Sequence, residues 1–265
     1  MKIVVFDLDE SLGYFTQFGI FWDSLKEYLK KRNKSELTQN NFDTILDLYP
    51  EFLRPNIINI LTYLKNKKKS SFCHKMMIYT NNTGPREWAR NIVSYFEKKI
   101  NYKLIDQIIA AFKINGKHVE ICRTTHNKTH KDLIKCTKIP IDAEICFMDD
   151  NFYPDMTHDN IYYINIKPYY YDLKFNEILS RFKNSQIGKK IIENDLDFDS
   201  LMMEHIKLFK YVVVDKDDDE YNIDKILGKH IISHLQIFFN NSSRNKTIKN
   251  RTNKKNKTFK NIKTD

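Results

Sequence analysis

Residues 2–11 read KIVVFDLDES and join a short apolar strand directly to two aspartates, Asp7 and Asp9, with one leucine between them. An ionised carboxylate only accepts hydrogen bonds, so two of them at the end of a buried strand repel each other unless a cation or a shared proton compensates. Strand residues two positions apart point to the same side, which lets both carboxylates converge on one ligand. The alternative interpretation is a solvated strand end, because a short motif alone carries a high false-positive risk.

Two further apolar runs along the chain also end in polar side chains. The run KMMIY is followed by Thr80 and Asn81. The run ICFM is followed by Asp149 and Asp150. Ligands of open parallel sheets bind beyond the carboxyl ends of the strands, where these side chains are predicted to meet. The predicted fold is therefore α/β, with a Rossmann-like parallel sheet that carries helices on both faces.

A lysine between the second and third runs adds a positive charge to this set. Lys131 lies in the sequence HKDL, ahead of a predicted helix. Lys128 is the alternative, because it lies three residues earlier in a chain rich in lysine. Four carboxylates, one hydroxyl and one ammonium group are what a magnesium-dependent phosphoryl-transfer site needs.

In chain order, these motifs resemble the signature of the haloacid-dehalogenase-like hydrolases: D-x-D-x-T/V after the first strand, Thr or Ser after the second, then a Lys, then paired acids. The closest resemblance is to the phosphatases of the RNA polymerase II carboxy-terminal domain, whose first motif reads DLDETL where residues 7–12 read DLDESL. Ser11 keeps a hydroxyl in place of the usual Thr. Further similarities, within residues 1–185, are LRP at 53–55, KDL at 131–133 and FMDDN at 147–151.

The resemblance implies a catalytic role for each residue that it matches. Asp7 would attack phosphorus and form an aspartyl-phosphate, which splits one difficult displacement into two easier ones. Asp9 would protonate the leaving oxygen and then remove a proton from the incoming water. Thr80 and Asn81 would bind phosphoryl oxygens, and Lys131 would neutralise charge on the transferring group.

The resemblance also implies Mg²⁺ as the cofactor. Magnesium prefers a near-octahedral oxygen shell and keeps several waters, so a few carboxylates suffice. The implied ligands are Asp7, the main-chain carbonyl of Asp9, and either Asp149 or Asp150. Relatives differ in whether the first or the second acid of the pair is used, so both stay candidates.

Segment lengths and apolar spacing predict a catalytic core with two additions. The core is assigned to residues 1–12 and 50–185. Residues 13–49 are predicted to form a small helical cap, because this insertion is far longer than a usual βα loop and carries aromatic residues at helical spacing. Residues 186–239 are predicted to form a helical extension, followed by a disordered basic tail over residues 240–265.

The charge of the chain is concentrated in that tail. Residues 240–265 contain nine Lys or Arg and a single acid, which is +8 of the net charge of +10. With few apolar side chains to bury, the tail cannot offset its ordering entropy. Such an arm binds nucleic-acid phosphates weakly by counterion release, or acts as a nuclear-import signal. The remaining alternative is a tail that only improves solubility.

Composition predicts a soluble protein with no membrane partner. No run approaches the ~18 apolar residues of a membrane span, and the early apolar run is too short for a signal peptide. The cysteines, which show no C-x-x-C pair and no dense framework, suit a reducing compartment; they are Cys73, Cys122, Cys136 and Cys146. The expected location is cytoplasmic or nuclear, and not secreted.

Two histidine patterns were weighed as zinc sites. Cys122, His126 and His130 recur at intervals of four residues, and His230 and His234 do the same within a predicted helix. Neither group supplies the four ligands of a structural zinc site. Both are therefore predicted to be ordinary side chains rather than metal ligands.

Turn and strand signals complete the prediction of the core. Residues 105–113 and 117–122 are expected to form a hairpin around Asn115 and Gly116, since Asn-Gly is the strongest short hairpin signal. Residues 161–166 are expected to form the last strand of the parallel sheet.

Three functions of different classes follow from these observations. The first is a magnesium-dependent phosphatase that acts on a phosphoprotein or a small phosphate ester. The second is a nucleic-acid 3′-phosphatase that uses the basic tail to hold the polymer. The third is a non-catalytic binding protein on a hydrolase scaffold, because a fold does not establish an activity.

Overall fold

The structure is a computed structural model that describes residues 1–248 of the chain. Five parallel strands form its main sheet. From one edge to the other they are β3 (Gln107–Ile109), β2 (Lys75–Tyr79), β1 (Lys2–Phe6), β6 (Glu144–Asp149) and β7 (Ile161–Asn165). The predicted parallel α/β architecture is therefore confirmed, including β7 as its last strand.

Strand β1 is the centre of the sheet, and every one of its residues is buried. Successive side chains of a strand point to opposite faces. Val4 packs on one face, in a cluster with helices α3 (Ile57–Lys69) and α4 (Arg86–Ile100). Val5 packs on the other face, in a cluster with helix α5 (His130–Thr137). Helices therefore cover both faces, as a buried parallel sheet requires.

The predicted insertion at residues 13–49 contains two helices, α1 (Thr16–Lys31) and α2 (Gln39–Leu46). Their aromatic side chains pack edge to face, with the ring centroids of Phe18 and Phe42 5.2 Å apart. Phe18 belongs to the same buried cluster as Val4 and Phe6 of β1. The insertion is thus helical, and it shares the core of the sheet instead of forming a core of its own.

The C-terminal part is also helical, and its helices pack back onto the first half of the chain. Helix α8 packs against α1, and helix α9 packs against α3 and β7. The helices after the sheet are α6 (Phe175–Asn184), α7 (Gln186–Ile192), α8 (Phe198–Leu208) and α9 (Asp218–Ile248).

Helix α9 extends beyond residue 239, where the helical extension was predicted to end. The prediction that residues 240–248 belong to a disordered tail is wrong, because they continue this helix. Residues 249–265, the rest of the predicted basic tail, lie outside the described residues. Across the described residues, no helix is both long enough and apolar enough to cross a membrane.

Helix α9 makes a close backbone contact at Gly228 with the turn that precedes α3. A Cβ atom added at Gly228 would lie 2.4 Å from the carbonyl oxygen of Pro55, so a side chain cannot be accommodated there. Asn56 strengthens the contact by donating from Nδ2 to the carbonyl oxygen of Gly228, at 3.2 Å. The last helix is therefore held directly against the turn that precedes α3.

The predicted hairpin is present but shorter than expected. Strand β4 (Lys113–Ile114) pairs antiparallel with β5 (Lys117–His118). Asn115 and Gly116 between them have φ angles of 49° and 77°, the positive values that a two-residue hairpin turn requires. The prediction that residues 105–113 form one hairpin strand is wrong, because β3 within that segment pairs instead with β2 and completes the edge of the main sheet.

Two cysteines are paired, which the sequence did not predict. Cys122 and Cys136, 14 residues apart, form a disulfide between the loop before α5 and the helix itself. Cys73 and Cys146 are buried thiols. The disulfide therefore does not support the expectation of a reducing compartment, which was based on the absence of a C-x-x-C pair and of a dense cysteine framework.

Candidate active site at the carboxyl ends of the strands

Three carboxylates converge where β1 and β6 end. Asp7, Asp149 and Asp150 each offer one oxygen, and these oxygens lie within 4.8 Å of one another. The two strands are neighbours in register, with Phe6 opposite Met148, and the main-chain N–H of Asp7 donates to the carbonyl oxygen of Met148 at 2.9 Å. The predicted meeting of these acids at one edge of the sheet is confirmed.

A buried lysine lies between two of the three acids. The Lys128 side chain is 1% exposed, and its Nζ atom donates to Oδ1 of Asp7 and, at 2.6 Å, to Oδ2 of Asp149. Burial alone would lower the pKa of Lys128, but the charges of the two aspartates outweigh burial and raise that pKa. The ammonium group is therefore a fixed positive charge of the site.

The prediction that Lys131 is the site lysine is wrong. Lys131 is the second residue of α5 and is exposed, whereas Lys128 lies in the turn before the helix and faces the strand ends. Thr129 caps α5 by accepting a hydrogen bond from the main-chain N–H of Asp132 at 3.0 Å. The spacing of Thr129 and Asp132 is itself a helix-start signal, and it would have placed Lys131 inside the helix.

Asp9 lies beside the three carboxylates but is held by a different partner. Asn82 donates from Nδ2 to Oδ2 of Asp9 at 2.7 Å. Burial raises the pKa of Asp9 to about 7; the charge of Asp7 adds to this shift, and the hydrogen bond from Asn82 opposes it. A carboxyl group with this pKa exchanges a proton readily near neutral pH. The role of the Asp9 carbonyl as a metal ligand stays a prediction.

Thr80 and Asn81 follow β2 and line the same cavity as Asp7. The Thr80 hydroxyl oxygen accepts from the main-chain N–H of Asn82 at 2.9 Å, which leaves its own proton for donation. The Asn81 amide is held on both sides, since it accepts from Arg123 at 2.8 Å and donates to Tyr153 at 3.1 Å. Both residues lie where the sequence placed them.

Arg123 is a buried residue of the site that the sequence analysis missed. Its guanidinium donates to the carbonyl oxygens of Thr80 at 3.1 Å and Ala110 at 2.9 Å, which follow neighbouring strands. It also donates to the carbonyl oxygen of His126 at 2.8 Å, in the loop that leads to Lys128. Arg123 therefore fixes the loop that carries the lysine relative to the strand ends.

A second buried arginine, Arg54, holds the turn that follows Asp9. Its guanidinium donates to the carbonyl oxygens of Ser11 at 2.6 Å and Glu10 at 2.5 Å. Glu10 has a φ angle of 58°, an unusual value for a residue with a side chain. The sequence LRP at 53–55 was noted only as one of the similarities to the hydrolase family, so the contribution of Arg54 to the site was missed.

The two acids at the end of β6 accept hydrogen bonds from different donors. Asp149 accepts from Lys128 on one oxygen and from the main-chain N–H of Asn151 on the other, at 2.9 Å. Asp150 accepts from the hydroxyl of Ser11 at 3.1 Å and from the side chain of Asn151 at 2.9 Å, and it lines the cavity. Burial, followed by the charge of Asp7, raises the pKa of Asp150. Carboxylates of this kind are hard donors suited to Mg²⁺.

Asp7, Asp9 and Asp150 line a cavity of about 730 Å³, and we refer to this acidic part of the lining as its floor. Its walls come from α1 and from the loop and first turns of α4, and the C-terminal extension contributes Phe209 and Tyr211. The predicted cap thus does line the mouth of the site. The cavity is open enough to admit a ligand from solvent.

The two zinc patterns do not assemble. Cys122 is in the disulfide, the ring of His126 packs on Phe112, and the ring of His130 packs on His158. His234 contacts the hydroxyl of Tyr162 at 2.8 Å. Within residues 1–248, the group of Asp7, Asp149 and Asp150 is the one cluster of three or more ligand-type side chains near enough to share an ion.

No protein-family model matches the chain, and neither the curated proteins nor the solved structures contain a match to it. The resemblance to haloacid-dehalogenase-like hydrolases therefore stays a prediction from the motifs. What can be said about function depends on the geometry of the site itself.

Proposed function

We propose that this protein is a magnesium-dependent phosphatase that hydrolyses a phosphomonoester through an aspartyl-phosphate on Asp7. The observation that carries the proposal is the convergence of Asp7, Asp149 and Asp150 beside the buried Lys128, with Asp7 and Asp150 in the lining of a cavity. Carboxylates repel one another in a buried site, so their assembly is favourable when a divalent cation is shared among them.

In the first step, a carboxylate oxygen of Asp7 attacks phosphorus while the bond from phosphorus to the ester oxygen breaks. The Oδ1 atom of Asp7 accepts from Lys128, and none of the described side chains donates to Oδ2, which makes Oδ2 the available nucleophile. The protonated carboxyl of Asp9 gives its proton to the departing ester oxygen, which leaves as an alcohol. The products are an aspartyl-phosphate and an ionised Asp9.

In the second step, water attacks the phosphorus of the aspartyl-phosphate. Asp9 removes a proton from that water as it attacks, and the bond between phosphorus and the Asp7 oxygen breaks. Inorganic phosphate leaves, Asp7 is again a carboxylate, and Asp9 is again protonated. A pKa of about 7 suits Asp9 to both halves of the cycle, because both its forms are then populated near neutral pH.

Two fixed groups are suited to stabilise the charge of the transferring group. Lys128 is rigidly placed between Asp7 and Asp149, so its ammonium group needs no reorganisation when charge develops nearby. The Thr80 hydroxyl is held by Asn82 and has its proton free for a phosphoryl oxygen. Preorganised donors of this kind contribute much of the rate enhancement of enzymes.

The proposed metal ligands are Asp7 and Asp150. Asp150 is preferred over Asp149, because Asp150 lines the cavity and accepts from neutral donors, whereas Asp149 accepts from the ammonium group of Lys128. When bound, Mg²⁺ supplies positive charge that neutralises the phosphoryl oxygens and orients the phosphate for in-line attack.

The experiment that tests this function is hydrolysis of 4-nitrophenyl phosphate by the full chain, with Mg²⁺ and with a chelator. We expect activity that needs Mg²⁺ and is lost in Asp7→Asn, together with acid-stable phosphate bound to the wild-type protein that hydroxylamine releases. Asp142→Asn, at an exposed aspartate outside the cavity, is the matched control. Wild-type turnover in Asp7→Asn would contradict the assignment of the nucleophile.

The two alternatives from the sequence stay predictions. A nucleic-acid 3′-phosphatase depends on the basic segment at residues 240–265, most of which lies outside the described residues. A non-catalytic scaffold predicts binding without turnover, which the same assay separates from catalysis.

A further inference from the structure

We infer that the cavity selects small phosphomonoesters whose leaving group is apolar or aromatic and carries no negative charge. The inference rests on the proposed function and adds a substrate class to it. Size, wall chemistry and charge of the cavity each support it independently.

The volume of the cavity fits a small molecule. Sites for small ligands occupy about 300–1,000 Å³, and this cavity measures about 730 Å³. Residues of α1 and of α4 contribute to its walls, and Phe209 and Tyr211 from the extension contribute to the lining. A leaving group of one or two rings fits this volume, whereas a polymer exceeds it.

Two tryptophans that are largely buried and held rigidly by the core contribute to the cavity lining. Trp22 and Trp88 line the cavity, and both rings pack edge to face on Phe42, with centroid distances of 5.1 Å and 5.5 Å. A Cβ atom added at Gly19 would lie 3.4 Å from the Trp88 ring, so the helix backbone lies close against that ring. Flat, immobile rings of this kind favour apolar or aromatic leaving groups, since little conformational freedom is lost when they are covered.

The charged groups of the lining outside the floor are unfavourable for a second anionic group. Asp23 and Glu87 line the cavity, and the ammonium group of Lys26 is paired with Oδ1 of Asp23 at 2.7 Å. Among the lining residues that the structure describes, Lys26 is the one cation. Lys128 lies below the floor and is committed to the carboxylates there.

The negative lining therefore acts differently on the two ends of a substrate. The phosphate end lies at the floor, beside Asp7 and Thr80, where the proposed metal ligands are. Elsewhere in the lining, Lys26 offsets the charge of Asp23, and Glu10 and Glu87 are the remaining acids, so a carboxylate or a further phosphate on the leaving group is repelled and an ammonium group is attracted. Oligonucleotides, nucleotides and acidic peptides are disfavoured for this reason.

A matched series of aryl phosphates tests the inference. The probes are 4-methylphenyl, 4-(aminomethyl)phenyl and 4-(carboxymethyl)phenyl phosphate, which have similar size and differ in leaving-group charge, and a 3′-phosphorylated oligonucleotide. With the full chain and Mg²⁺, we expect kcat/KM for the neutral and cationic esters to exceed that of the anionic ester by about five- to tenfold. The difference should shrink toward 1 M salt, where the Debye length is about 3 Å.

Reversing the charge of Glu87 tests whether the acidic lining of the cavity causes this preference among the esters. Glu87→Lys is expected to raise kcat/KM of the anionic ester relative to the neutral one by about tenfold, because one negative charge is replaced by a positive one. Glu36→Lys makes the same change at an exposed glutamate outside the cavity and should leave that ratio as it is.

The outcomes distinguish failure of this inference from failure of the proposed function. If turnover depends on Asp7 but the anionic ester or the oligonucleotide is the preferred substrate, the inference is wrong and the phosphatase proposal stands. An unchanged ratio in Glu87→Lys also overturns the inference. Absence of Asp7-dependent turnover on all four probes overturns the proposed function and the substrate class together.

Discussion

Asn82 donates a hydrogen bond of 2.7 Å to Asp9, whose pKa burial raises to about 7. Because this hydrogen bond favours the ionised form, it holds the pKa of Asp9 below the value that burial alone would give. Asn82 thereby lowers the pH at which the proposed acid loses its proton.

The first prediction concerns the pH profile. With Asp9 acting as the acid in the first step, kcat/KM should fall as pH rises through about 7, because the protonated form is lost. Asn82→Ala removes a contact to the ionised form, so the fall should move to higher pH. Asn91→Ala, at another asparagine that lines the cavity, should leave the position of the fall in place. A fall at the same pH in Asn82→Ala would contradict the role of this hydrogen bond.

The second prediction distinguishes the two lysines. Lys128→Met should lower kcat/KM by about 10²- to 10³-fold, the usual effect of removing a preorganised charged donor. It should also lower the free energy of unfolding by about 3–5 kcal/mol, since two buried carboxylates lose their partner. Lys131→Met, at an exposed position on α5, should keep activity and stability near those of the wild type. Steady-state kinetics and urea unfolding measure both quantities.

The third prediction concerns the metal. A ligand present at 100 times its dissociation constant stabilises the folded state by about 2.7 kcal/mol, so Mg²⁺ should raise the melting temperature of the wild type. Asp150→Asn should weaken Mg²⁺ binding in calorimetry while the protein stays folded. Asp155→Asn, at an exposed residue outside the acidic cluster, serves as the control. If Asp150→Asn binds Mg²⁺ with wild-type affinity, Asp150 is not a ligand and the ion is held by other residues.

The fourth prediction concerns stability and pH in the metal-free protein. The pKa of Asp9 is raised from 3.8 to about 7 in the folded state, so between these values the folded state binds a proton that the unfolded state has released. This contribution to stability is present at low pH and is lost as pH rises toward 7. Asp9→Asn should therefore gain stability relative to the wild type as pH increases from 4 to 7. Urea midpoints across that range measure the difference, and a constant difference would show that Asp9 does not titrate there.

The fifth prediction concerns the disulfide. The bond between Cys122 and Cys136 closes a loop that contains both Arg123 and Lys128. A loop of about 15 residues closed in this way contributes about 3 kcal/mol in the chain-entropy account. Reductant should lower the melting temperature and the activity of the wild type, and it should have no further effect on Cys122→Ser. Equal melting temperatures with and without reductant would show that the bond does not support the loop.

The part of the site that the sequence predicted is the part encoded locally. Asp7, Thr80 and Asp149 each follow an apolar run, and the carboxyl ends of parallel strands meet at one edge. The order of the runs therefore sufficed to predict both the sheet and the acids at its edge.

The residues that escaped prediction act across long separations in the chain. Arg54 reaches Glu10 and Ser11, and Arg123 reaches Thr80, in each case through main-chain carbonyls that every residue possesses. No residue type at the far end marks such a partnership, so sequence patterns cannot reveal it. The wrong choice of Lys131 has a different reason. The capping signal formed by Thr129 and Asp132 is present in the sequence, and it places Lys131 inside α5.

The contact of Gly228 with Pro55 joins the last helix to the neighbour of Arg54, and Arg54 carries the turn after Asp9. A polypeptide that ends before α9 keeps all the acidic residues of the site. It loses, however, the contact at Pro55 that supports Arg54 and the turn after Asp9. The shortest fragment worth expressing for enzymology consequently runs through this helix, although none of its described side chains lines the cavity.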